Sequence, residues 1–120
     1  GFKAWQEAGK EVDSITSISA DELSEWMKKG EVNVVDVRKP GEYLSEHVEN
    51  AINLPLDDIN NVISAIDPGK NYAVHCAGGY RSVIAASIMK ANGFTKLVNV
   101  RKGWAEIKNQ DLPLVIPETV

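Results

Sequence analysis

The segment Asn71-Tyr72-Ala73-Val74-His75-Cys76-Ala77-Gly78-Gly79-Tyr80-Arg81-Ser82 decides how the whole chain is read. Its first five residues form a short, mostly apolar run of the kind that makes a buried strand. Two glycines then interrupt it. From Ser82 to Met89, apolar and small residues continue in a helix-like run. The order is therefore strand, tight loop, helix N-terminus. Cys76 stands at the head of the loop, where a helix dipole and converging backbone N–H groups favour negative charge.

Outward from this segment, strand and helix signals alternate. Ser19-Ala20-Asp21-Glu22 is a capping box. Leu23, Trp26 and Met27 follow at helical spacing, as a core stripe, and Gly30 closes that helix. Residues 32–37 are a β-branched run suited to a buried parallel strand. Pro40-Gly41 opens a short helical turn through Leu44. Residues 51–54 read as a short strand stopped by Pro55. Leu56, Ile59, Val62, Ile63 and Ile66 predict one helix over 56–66. Asp67-Pro68-Gly69-Lys70 is a turn in which glycine is expected to supply positive φ. Residues 82–92 predict a helix, 96–100 a strand and 103–110 a last helix. Repeated βα units imply an α/β fold with a mostly parallel sheet and helices on both faces. Ligands in such sheets bind at the carboxyl ends of strands, where Cys76 falls.

The loop explains how an ordinary thiol becomes a nucleophile. A free cysteine titrates near pH 8.5. The dipole of the following helix lowers that value. The N–H groups of residues 77–82 are expected to curl toward one centre, with Gly78 and Gly79 supplying positive φ. Arg81 adds a full positive charge and a bidentate grip for an oxyanion. Adjacent strand residues point to opposite faces. His75 is therefore expected to be a packed, hydrogen-bonded histidine facing away from the thiol, not its base.

Composition narrows the partners. The chain has 120 residues, a net charge of −4 and one cysteine. Its length fits one small domain. The acidic balance and the lack of a basic cluster speak against nucleic acid. No apolar stretch approaches the ~20 residues of a membrane span. One cysteine forbids an internal disulfide and fits a reducing, cytoplasmic location. No signal-peptide pattern is visible. Residues 1–13 stand apart as an N-terminal extension to a domain at 14–120. Gly1-Phe2 to Val12 echoes Gly103-Trp104 to Leu114: Gly-aromatic, short polar helix, apolar tail. Either the two amphipathic segments coincide by chance, or 1–13 is the tail of a preceding homologous module.

Three segments together resemble the rhodanese family of sulfurtransferases. Asp36-Val37-Arg38-Lys39-Pro40-Gly41-Glu42-Tyr43 resembles its D-V-R-x-x-x-E-Y segment. Residues His47 to Pro55 resemble its G-H-I-x-G-A-x-N-x-P segment. His75 to Ser82 resembles its active-site loop, cysteine first and arginine sixth. The resemblance implies a rhodanese-like three-layer fold with a central parallel sheet of about five strands. It implies Cys76 as nucleophile and Arg81 as the second catalytic group. Ala77, Gly78, Gly79, Tyr80 and Ser82 would line the donor site. Asp36, Arg38 and Glu42 would support it structurally, with Arg38 paired to a carboxylate, Glu42 first among the candidates. It further implies a sulfur donor such as thiosulfate or a persulfide, a thiol or cyanide acceptor, and no metal or cofactor. The Ala77-Gly78-Gly79-Tyr80 interior resembles modules fused to metallo-β-lactamase-fold persulfide dioxygenases. A fused or partner persulfide-generating domain is therefore one expectation. Tyr80 would then line the pocket and favour an organic persulfide, or simply shield the loop.

The family pattern is broken at three places. Glu46 and Asn50 stand where glycines are usual, and Lys102 replaces one glycine of the pair before the last helix. Two other readings compete. Cysteine phosphatases and arsenate reductases place five residues between cysteine and arginine, against four here. A non-catalytic docking module would not need the intact loop that Cys76, Gly79, Arg81 and Ser82 keep.

Overall fold

The computed structural model describes residues 15–116. The echo in residues 1–13 lies outside them. Strands β1 (Ser17–Ile18), β2 (Asn33–Asp36), β4 (Ile52–Asn53), β5 (Tyr72–His75) and β6 (Leu97–Val100) form one sheet. Their order is β1-β6-β5-β2-β4, and every pairing in it is parallel. The helices are α1 (Ala20–Lys28), α2 (Pro40–Ser45), α3 (Ile59–Val62), α4 (Tyr80–Ala91) and α5 (Trp104–Ile107). Strands β3 (His47–Val48) and β7 (Leu114–Val115) make a separate antiparallel ribbon, which the sequence pattern did not announce.

The period of two along a strand sorts the core into two layers. Val35, Val37, Val74 and Cys76 pack on one face with Ala85, Ala86 and Met89 of α4. Val34 and Ala73 pack on the other with Leu23 of α1 and Ile107 of α5. Central strands buried on both faces explain the continuous apolar runs. Ser19 caps α1 as expected: its Oγ accepts the Glu22 N–H at 3.1 Å.

The segment 56–66 is not one helix. It runs as a 3-10 turn at Leu56–Asp58, α3, then a second 3-10 turn at Ile63–Ala65. Asparagines and β-branched residues crowd this stretch, and none of its three short pieces has a side-chain cap. Ile59, Ile63 and Ile66 still reach the core, so burial outlasts helical regularity. Nor does Gly69 use positive φ. The turn is held instead by Asp67 Oδ1, which accepts the Gly69 N–H at 2.8 Å.

Register places the site. Asp36 of β2 sits opposite His75 of β5. The Val37 N–H donates to the His75 carbonyl at 2.9 Å, and Leu54 N–H to the Asp36 carbonyl at 2.9 Å. Three strand ends therefore deliver residues 36–42, 52–56 and 76–82 to one edge.

Candidate active site

Cys76 directly follows the central strand β5, with its side chain on the α4 face. The residue is only 1% exposed. Its sulfur accepts the Gly79 N–H at 3.0 Å. Gly79 is the N-cap of α4 and takes φ +103, a conformation that favours glycine. The helix begins at Tyr80, two residues earlier than its apolar pattern predicts. Arg81 and Ser82 thus fall in its first turn. Gly78 does not take positive φ, contrary to expectation, so one glycine does the turning and not two.

Burial pushes the Cys76 thiol pKa up. Hydrogen bonds from the Ser82 hydroxyl and N–H, and from the Gly79 and Gly78 N–H groups, pull it down, and they prevail. The Ser82 hydroxyl has one proton, for which Asn99 Oδ1, at 2.5 Å, competes with the sulfur. The backbone donors face no such competition and are the steadier part of the cradle. Asn99 is a buried amide in an otherwise apolar strand. Its Nδ2 donates to Ser17 Oγ at 3.2 Å, tying the edge strand to the site. That lone polar residue in Leu97-Val98-Asn99-Val100 was the sequence signal for it.

The loop is clamped from the far side by the turn into α5. Trp104 N–H donates to the Cys76 carbonyl at 2.7 Å, and Ala105 N–H to the Ala77 carbonyl at 3.3 Å. A Cβ on Gly103 would lie 2.1 Å from the Cys76 carbonyl oxygen. Gly103 is therefore the residue that lets the two turns touch. Ala77, expected against the donor, takes part in this clamp through its carbonyl. Tyr80, at position one of α4, is 87% exposed. Tyr80 is expected to line or shield the pocket; its side chain is mostly open to solvent.

His75 is on the opposite face from the thiol. It is fully buried, stacks on Trp104 at 6.1 Å and sits with Nε2 3.7 Å from Asp36 Oδ2. Burial lowers its pKa, so it stays neutral. No proton route from it to Cys76 is apparent in this geometry.

Arg38 does pair with a carboxylate, but with Asp36 rather than Glu42. Nε and Nη2 donate to both Asp36 oxygens at 2.8–3.1 Å, and Nη2 also donates to the Glu46 carbonyl at 2.7 Å. The guanidinium lies 4.4 Å from the Trp104 ring centre. Asp36 lies within two residues of Arg38 and equally buried, so the shorter route wins. Glu42 instead meets Arg81, Oε1 to Nη1 at 3.3 Å. Arg81 stays one-third exposed at the mouth of the site.

The two family departures at turns also find a reason. Asn50 has φ +66 and Lys102 φ +60. Both hold backbone shapes in which glycine is the easy choice, and Asn tolerates them better than Lys. Among the described residues no cluster of His, Cys, Asp and Glu could hold a metal, and no helix is long and apolar enough to cross a membrane.

Comparison with known proteins identifies the family. Residues 19–110 match the Rhodanese-like domain, and the chain belongs to that family. It is 29% identical over 105 residues to a sulfurtransferase of Allochromatium vinosum, covering 87% of this chain and 98% of that protein. It is 32% identical over 107 residues to a tRNA uridine(34) hydroxylase of Yersinia enterocolitica, covering 81% of this chain and 31% of that one. The crystal structure of a rhodanese-related protein from Thermoplasma volcanium superposes with a TM-score of 0.76 at 31% identity, over 85% of this chain and 99% of that chain. The chain spans well under two thirds of several relatives, 57% of one from Bacillus subtilis among them.

Proposed function

We propose that this domain is a sulfurtransferase that carries a sulfane sulfur as a persulfide on Cys76. The observation that carries the reading is the Cys76 sulfur seated among N–H donors at the N-terminus of α4, with its pKa drawn down. The thiolate attacks the outer sulfur of a donor. The new Cys76 S–S bond forms as the donor's S–S bond breaks. Its electron pair leaves on sulfite, from thiosulfate, or on a thiolate, from an organic persulfide. The cradle then stabilises the outer sulfur of the Cys76 persulfide. A thiol, cyanide or protein acceptor attacks that sulfur and returns Cys76 to the thiolate. Arg81 lies at the loop's open side, suited to meet the departing anion.

Intact-protein mass spectrometry tests this. Incubation with thiosulfate or glutathione persulfide should add one sulfur atom, cyanide should remove it, and Cys76→Ser should gain none. Sulfur retained by Cys76→Ser would remove the nucleophile assignment.

A further inference from the structure

We infer that Glu42 is a specificity-determining residue of this site: by placing its carboxylate against Arg81 it biases the domain against compact dianionic donors and toward persulfides of lower charge. The inference rests on the sulfur-transfer reading and narrows it to a donor class. Glu42 Oε1 contacts Arg81 Nη1 at 3.3 Å and also accepts the Lys39 N–H at 3.3 Å. The carboxylate is thus tethered to the first turn of α2 and is not a passing surface partner. An oxyanion that uses Arg81's remaining donors must come in beside this carboxylate.

The surroundings add to the bias. A groove of about 230 Å³ runs beside Arg81, with apolar walls that include Val37 and Leu56. It also carries Lys39, Asp57 and Asp58. With Glu42, three carboxylates face two cations. Thiosulfate brings two negative charges on a small body into that field. A hydropersulfide with an uncharged organic body brings at most one, and its carbon chain suits the apolar walls. In the favoured reaction the Cys76 thiolate bonds to the outer sulfur of R–S–SH. The donor S–S bond breaks, R–S⁻ leaves with the electron pair, and the proton stays on the transferred sulfur.

Glu42→Gln removes the charge and keeps an oxygen for the Lys39 N–H, so α2 retains its N-terminal bond. Rates of Cys76 persulfidation are compared for thiosulfate and 2-hydroxyethyl persulfide in both proteins. The variant should react about tenfold faster with thiosulfate, the worth of one screened, half-exposed charge, and less than about twofold faster with the organic donor. The thiosulfate gain should shrink as salt rises. In a Cys76→Ser background, where no transfer occurs, Glu42→Gln should tighten thiosulfate binding by a similar factor, read from amide shifts of residues 78–82. Equal gains with both donors, or no gain in rate and affinity for thiosulfate, overturns the role of Glu42. Wild-type protein that takes sulfur from neither donor removes the sulfur-transfer reading instead, while the binding comparison still judges Glu42.

Discussion

Arg38 and Arg81 stand on the same edge of the sheet and have opposite fates. Arg38 is 4% exposed, gripped twice by Asp36, bonded to the Glu46 carbonyl and laid over Trp104. Its Nε and Nη2 donors are spent on the fold. Arg81 is held by one long contact to Glu42 at the rim and keeps a third of its surface open. The difference teaches where to look for chemistry. A guanidinium whose partners are all internal holds segments together, and one with spare donors beside a nucleophile is available to a ligand.

The largest expected effect comes from exchanging their roles as mutation targets. Arg38→Met should cost about 3–5 kcal/mol, because it leaves Asp36 buried and unpaired. Arg81→Met should change stability by less than about 0.5 kcal/mol, because an exposed pair contributes little. Urea unfolding of both variants checks this. Similar losses from the two would break the contrast.

Next comes the clamp, which belongs with Arg38 on the structural side. Gly103→Ala places a methyl against the Cys76 carbonyl and forces that turn open. A loss of about 2–3 kcal/mol is expected, within the range for strained backbone substitutions. Transfer should fall with it, since the same turn fixes the loop. Measuring persulfidation well below the unfolding midpoint separates misplacement of Cys76 from unfolding.

The working side predicts a pH effect. The folded Cys76 pKa is lowered, so the thiolate persists to lower pH than in the unfolded chain. Its stabilising contribution is full above the unfolded thiol pKa and is lost as pH falls through the folded one. Thiolate absorbance titrated against Cys76→Ser should show a midpoint below that of a free cysteine. A midpoint at or above it would show that burial outweighs the N–H donors.

The smallest effect is a gain. Lys102 holds φ +60 beside the clamp. Lys102→Gly should stabilise by about 1 kcal/mol, read by thermal or urea unfolding. It sharpens the comparison by showing that the turn carries backbone strain.

Much of this molecule is legible in its residues because the relevant signals are local. The Ser19 capping box and the apolar runs at 32–37 and 71–75 each act over a few residues and appear where the pattern put them, and the glycine-bearing loop after Cys76 does so with its helix starting two residues early. The two-residue strands β1, β3 and β7 carry no such signal. They exist because neighbouring backbone offers them partners. Residues 56–66 lie between these cases: the apolar spacing foretold which side chains are buried but not how the backbone carries them, since poor helix formers yield to core contacts.

The sequence alone determined the α/β alternation, the family resemblance and the thiol at a strand end facing a helix N-terminus. Only the tertiary structure decided that Asp36 takes Arg38, that Glu42 is left for Arg81, and that Gly103 and Trp104 fasten the loop from behind. Spacing along the chain sets backbone shape within a turn or two. The partner of a charged side chain depends on which carboxylate packing brings within reach, two residues away for Arg38 and 39 residues away for Arg81.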